Sequence, residues 1–156
     1  MSTEVPTCAL VAGGTDGIGF AYLKRACKQQ RFTKIYVLGR DFKKVDSWTE
    51  ERSCVVVNLQ CDITDAEALK KHMDSITEPI DVFVNTIGTF YKGLIADTPL
   101  DVVQKHFNVN SVANIYFTQL GLPQLNPRFS QIVAVLATLA TVPRQTYSIQ
   151  GATNTK

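Results

Sequence analysis

The residues Cys8-Ala9-Leu10-Val11-Ala12 run without a polar side chain straight into Gly13-Gly14-Thr15-Asp16-Gly17-Ile18-Gly19. A short continuous apolar run closed by glycines reads as a strand buried on both faces. Such a strand needs helices on both sides of its sheet. Glycines at positions 13, 17 and 19 make a turn tight enough to demand backbone angles that glycine adopts at least cost. Their missing side chains let an anion approach the backbone amides. The helix predicted to follow offers oriented N–H groups and a partial positive charge at its start. The order strand, glycine turn, helix separates a pyrophosphate-binding turn from an ordinary glycine-rich one. Gly13, Thr15, Asp16, Gly17, Ile18 and Gly19 are therefore candidate phosphate contacts.

The alternation continues along the chain. Apolar positions Phe20, Leu23 and Cys27 follow helical spacing within a helix predicted over 18–29. A second strand runs from Lys34 to Leu38, closed by Gly39, and a third from Cys54 to Leu59. Thr64-Asp65-Ala66-Glu67 reads as a capping box opening a helix whose stripe is Ala66, Leu69, Met73 and Ile76. A fourth strand spans 80–84. Thr98-Pro99 is expected to start another helix, with Pro99 at its first position. A further helix is expected after Asn108, ending near Leu122. Its apolar residues Val109, Val112, Ala113, Tyr116 and Leu120, together with Ile115 and Phe117, cover more than one side. A helix of that kind is covered twice, by its own sheet and by a partner, which makes a homodimer a candidate assembly. A fifth strand spans 131–137. Strands alternating with helices imply an α/β fold: a doubly wound, Rossmann-like parallel sheet of about five strands in a single domain over 1–156. Ligands bind such a sheet beyond the C-terminal ends of its strands.

Composition narrows the partners. Of 156 residues, 45% are hydrophobic and 19% charged, enough for one soluble core. A net charge of +2, spread along the chain, gives no footprint for nucleic acid. No apolar run approaches the roughly 20 residues of a membrane span, and the first residues lack the pattern of a secretory signal. A cytoplasmic protein without membrane partners is expected. The four cysteines form no C-x2-C pair and only two histidines accompany them, so no metal site is expected. Cys8, Cys27, Cys54 and Cys61 read as buried reduced thiols.

The glycine turn resembles the first motif of the short-chain dehydrogenases/reductases, T-G-x3-G-[IL]-G, with Ala12 in place of the threonine. Four further matches follow in the family's order. Leu38-Gly39-Arg40 ends the second strand, where the family often carries an acidic residue for the adenosine ribose. Gly39 with Arg40 beside it implies a guanidinium for a 2′-phosphate, hence NADP(H) rather than NAD, with Asp41 acting against that preference. Asp62 and Ile63, after the third strand, match the residues that receive the adenine. For Asp62 a part in starting the next helix is an equal alternative. Asn85-Thr86-Ile87-Gly88 resembles N-N-A-G, which puts Asn85 and Gly88 at the cofactor cleft. Asn110 matches the family's structural and catalytic asparagine, which holds a water in a proton relay. A plain helix N-cap is the other reading of Asn110.

The same resemblance implies an oxidoreductase that transfers hydride to or from a small carbonyl or alcohol substrate, with Tyr147 as the acid/base. The set is incomplete. The lysine expected four residues after the tyrosine is Gly151, and Lys156 stands nine residues on, about 13 Å along a continued helix. A phenol without a nearby cation is a poor base near neutral pH. The expected serine falls among Leu136 and Ala137, with Thr138 the nearest hydroxyl. The family's usual continuation past this point is absent from the 156 residues. A piece of a longer protein, a short relative, and a catalytically impaired nucleotide-binding module serving as sensor or assembly subunit all fit these departures.

Overall fold

Strand β1 (Cys8–Ala12) is buried at every position, and its side chains alternate between two cores. The computed structural model describes residues 7–48, 53–137 and 145–154. Around β1 the strands β2 (Lys34–Gly39), β3 (Val55–Gln60), β4 (Val82–Asn85) and β5 (Gln131–Ala134) form one sheet in the order β3-β2-β1-β4-β5, every pair parallel. The expected α/β parallel sheet of five strands is thus the observed one. The chain leaves β3 at one edge and re-enters on the far side of β1 as β4. That reversal opens a crevice above β1 and β4.

Cys8, Leu10 and Ala12 point into a core shared with Leu69 and Met73 of α3 (Ala66–Asp74) and with Phe117 of α5 (Asn114–Gly121). Phe83 and Phe117 meet there with ring centroids 4.8 Å apart. Ala9 and Val11 point the other way, against Leu23, Ala26 and Cys27 of α1 (Gly17–Lys28) and Val45 of the short α2 (Lys43–Asp46). No described helix is long and apolar enough to cross a membrane.

Several local expectations are corrected. Cys27 and Cys54 are bonded to each other as a disulfide, joining the last turn of α1 to the approach to β3, with Cα atoms 5.5 Å apart; Cys8 and Cys61 are free and buried. Helix α3 is capped by Asp65, whose carboxylate accepts from Ala68 N at 3.0 Å, and not by Thr64. The Thr64 hydroxyl is already donated to Asp62 Oδ1 at 2.7 Å. Pro99 is extended, at φ −60° and ψ 145°, and lies just outside α4 (Leu100–Phe107). Asn108 does not begin a new helix. Its backbone is helical, and α4 continues through a π-helical segment, Asn108–Ala113, into α5. The extra residue in that turn shifts the phase of the face. Val109, Ala113, Tyr116, Phe117 and Leu120 pack on the core, whereas Val112 and Ile115 are exposed.

At the N-terminal edge of the sheet, Glu78 accepts from Lys34 Nζ and, at 2.5 Å, from the Tyr36 hydroxyl. The Lys34 bond first, then the Tyr36 bond, brings the Glu78 carboxyl down from 4.5 to about 2. A depressed carboxylate stabilises the fold above its unfolded value, and that contribution is lost as pH falls through its folded value. Between pH 4.5 and about 2, acid unfolding of Glu78→Gln is therefore expected to be shallower than that of the parent. Superimposable acid-unfolding curves would show that the bridge does not contribute.

Candidate functional site

The glycine turn leaves β1 at Ala12, and Gly13 N donates to Leu38 O of β2 at 2.8 Å. Gly13 adopts φ +76°, in the left-handed region that suits glycine. Gly19, on the first turn of α1, lies under this bend. A Cβ there would run into the Gly13 carbonyl oxygen and come within 2.6 Å of Thr86 Oγ1. The two segments thus touch backbone to backbone and leave a shallow cradle at the start of α1. Asp16, Gly17 and Ile18 stand exposed at its rim. Asp16 is the N-cap. Its Oδ1 accepts from Gly17 N at 2.7 Å and pairs with Lys44 Nζ at 2.5 Å. The Lys44 hydrogen bond, then the Gly17 amide, holds the Asp16 carboxyl below its ordinary range.

Thr15 turns towards the end of β2. A Cβ on Gly39 would lie 2.6 Å from Thr15 Oγ1, so the threonine occupies the space that a side chain at position 39 would take. Arg40 is exposed and makes no ion pair among the described residues. Its carbonyl accepts from Gln60 Nε2 at 3.1 Å, which fixes the backbone where the side chain departs. Asp41 is engaged by Lys43. It accepts from Lys43 N at 2.9 Å and pairs with Lys43 Nζ at 3.6 Å.

Beyond β3, Asp62 accepts from Thr64 N at 2.9 Å and Thr64 Oγ1 at 2.7 Å, both on Oδ1. These bonds, the backbone one first, hold its carboxyl below the usual range. Asp62 therefore shapes the turn ahead of α3 without capping the helix. Ile63 is 5% exposed and belongs to the core.

The polar residues after β4 form a buried network. Asn85 donates from Nδ2 to Asn114 Oδ1 at 2.7 Å, and its own Oδ1 accepts from Ile87 N at 3.0 Å. Asn114 Nδ2 faces the Val109 carbonyl at 2.8 Å and the Asn110 carbonyl at 3.2 Å, both carbonyls of the π-helical segment. Asn110 is 2% exposed. Its Oδ1 accepts from Thr89 N at 2.7 Å, and its Nδ2 donates to Thr89 O at 3.0 Å and to Thr153 Oγ1 at 3.1 Å. Asn110 is thus no N-cap. It clamps the loop that starts at Gly88, itself exposed, to α6 (Ser148–Asn154). Thr86 ties that loop to β1, donating Oγ1 to Ala12 O at 2.8 Å.

Tyr147 ends a single 3-10 turn, Gln145–Tyr147, that leads into α6. Its ring is half-buried and stacks at a tilt on Phe90, with centroids 5.6 Å apart. Gly93 N donates to Thr146 O at 2.9 Å, so the post-β4 loop carries both Phe90 and the tyrosine turn. Gly151 stands one helical turn further along α6. Thr138 and Lys156 lie outside the described residues. The glycine turn, Arg40, Asp62, Asn85, Gly88, Asn110 and Tyr147 are all carried by segments at the C-terminal side of the sheet. Reading the sequence missed Thr86, Lys44, Asn114 and Thr153. The one visible signal was Asn114, a polar residue four positions after Asn110 and hence on the same side of the helix.

The family model described as short chain dehydrogenase matches residues 7–154. The ketoacyl reductase HetN of Nostoc sp. is 27% identical over 146 residues, which is 90% of this chain and 50% of that protein. The NADPH-dependent 3-dehydrocapnine reductase of Ornithobacterium rhinotracheale is 30% identical over 118 residues, 71% of this chain and 40% of that protein. The crystal structure of a short-chain dehydrogenase/reductase from Vibrio parahaemolyticus superposes with a TM-score of 0.83 at 18% identity, over 94% of this chain and 63% of that one. The chain thus spans half or less of the length of these two curated relatives.

Proposed function

Since this chain belongs to the short-chain dehydrogenase family, we propose that it is an NADP(H)-dependent oxidoreductase acting on a small carbonyl or alcohol. The observation that carries the cofactor choice is the corner at the end of β2. Gly39 offers no carboxylate to the ribose, Arg40 is exposed without an ion pair among the described residues, and Asp41 is taken up by Lys43. A guanidinium free to fork onto a phosphate favours the 2′-phosphorylated dinucleotide. The cradle at the start of α1 suits a pyrophosphate, because a Cβ at Gly13 would strike Thr86 and one at Gly19 the Gly13 carbonyl, so glycine at both places lets the turn close onto the helix start. Gly13, Thr15, Asp16, Gly17, Ile18 and Gly19 border that part. On this reading Asp62 and Ile63 would receive the adenine, and Asn85 and Gly88 would line the cofactor cleft. The NADPH dependence of the relative from Ornithobacterium rhinotracheale supports the same choice.

When bound, the nicotinamide supplies or accepts the hydride. Tyr147 is the group that gives or takes the proton, and the Asn110 clamp holds α6, the helix that follows it, against the post-β4 loop. The exposed apolar residues Phe107, Val112, Ile115 and Leu122 along α4 and α5 are the face on which a second copy would pack, and the cytoplasm is the proposed location.

Fluorescence titration of the full chain with NADPH and NADH tests the reading. Arg40→Ala is expected to weaken NADPH binding at least about tenfold, the loss of a charged hydrogen bond, and to leave NADH nearly unchanged. Equal losses for both cofactors would remove Arg40 from the 2′-phosphate. Tyr147→Phe should abolish carbonyl-dependent NADPH oxidation while binding persists; turnover that survives would remove Tyr147 from the proton transfer.

A further inference from the structure

Thr15, Asp16, Gly39, Arg40 and Lys44 meet at one corner, and it holds a cation that the cofactor assignment above does not use. Thr15 packs on Gly39, Arg40 follows Gly39 in the chain, and Lys44 reaches back from α2 to Asp16 at 2.5 Å. Two cations therefore flank the end of β2. Arg40 is without an ion pair among the described residues. Lys44 is neutralised by a carboxylate that belongs to the phosphate-binding turn itself.

That carboxylate has two opposed effects. As an N-cap it accepts the Gly17 amide and suits the positive end of α1. Beside an incoming dinucleotide phosphate it is a like charge, and it takes up one of the amides at the helix start. The Asp16–Lys44 pair is exposed on both sides, 74% and 60%, so it contributes little to stability and opens readily. A 2′-phosphate carries up to two negative charges against the carboxylate's one, and attraction to an ammonium scales with charge.

We propose that Lys44 is a second 2′-phosphate ligand kept in reserve by Asp16, so that Asp16 sets NADP(H) affinity by competing with the cofactor for Lys44. The inference rests on the NADP(H) reading given above. Cofactor binding on this view exchanges one ion pair for another, and Asp16 acts as a built-in competitor.

The wild-type chain, Lys44→Met, Asp16→Ser and the double variant are titrated with NADPH and NADH at low and high salt. Serine preserves the N-cap and methionine the aliphatic stem, so α1 and α2 are retained. Lys44→Met is expected to weaken NADPH about tenfold and NADH by less than about twofold. Asp16→Ser is expected to tighten NADPH several-fold, and most of that gain should vanish in the double variant and at high salt. An NADPH affinity unchanged or weakened by Asp16→Ser, or equal effects of Lys44→Met on both cofactors, would overturn the proposal. If Arg40→Ala weakens NADPH but Lys44→Met does not, only the Lys44 assignment falls. If Arg40→Ala has no effect, or the wild type binds neither cofactor, the NADP(H) reading falls with it.

Discussion

Replacing Asp81 by alanine should cost the fold about 3–5 kcal/mol. Asp81 is 3% exposed and sits at the start of β4 beneath β1. Its Oδ2 accepts from Thr7 N at 2.6 Å, Cys8 N at 2.9 Å and Thr7 Oγ1 at 3.2 Å, and its Oδ1 accepts from Asn126 Nδ2 at 2.7 Å. Burial pushes this carboxyl up more than any single bond pulls it down. The Cys8 amide, Asn126 and Thr7 together hold it below its ordinary range, so it is charged near neutral pH. Alanine would leave the Cys8 amide, at the head of the central strand, without its acceptor, and each stranded buried donor costs about 1–3 kcal/mol. Against a total stability of about 5–15 kcal/mol that is a large fraction. Asp81→Asn keeps one acceptor oxygen and should lose less. Urea unfolding of the three proteins checks this, and a midpoint for Asp81→Ala close to the parent's would show that the carboxylate does not anchor β1.

The second large effect is expected at Gly19. A Cβ there meets the Gly13 carbonyl and Thr86 Oγ1, and the first of these is backbone that cannot rotate away. Gly19→Ala must lift the glycine turn off α1. Forcing an extra methyl into a close-packed contact costs about 1–3 kcal/mol. The larger loss should be in binding, because the displaced atoms are those that form the cradle. NADPH affinity is expected to fall about a hundredfold or more, equivalent to about 2.7 kcal/mol or more, and NADH affinity with it, since the pyrophosphate is common to both. Isothermal titration beside a thermal melt separates the two effects. Retained affinity with a lowered melting temperature would make the glycine a packing device and not part of the phosphate site.

These two positions show how unevenly the protein was legible beforehand. Gly19 announced itself by its spacing from Gly13 and Gly17, since a tight turn between a buried strand and a helix leaves a local signature. Asp81 did not, because it lies inside an apolar strand segment, and its importance comes from amides 73 and 74 positions away. Asn110 fell between. Its place in the order of motifs was readable, but a helix start was the natural expectation for Asn108-Val109-Asn110-Ser111. The π-helical segment there leaves the Val109 and Asn110 carbonyls to be met by Asn114, a partner found only once the backbone is built.

The sequence by itself determined the order of strands and helices, the parallel α/β architecture and the position of the glycine turn. Periodicity and glycine's backbone freedom are local properties and leave local traces. Tertiary structure alone decided the links between distant segments: Cys27 with Cys54, Asp16 with Lys44, Asn85 with Asn114, and Asn110 with Thr153. Those partners lie 27 to 43 residues apart. They are brought together by strand register and by the packing of helices on the sheet, which no periodicity in the chain encodes.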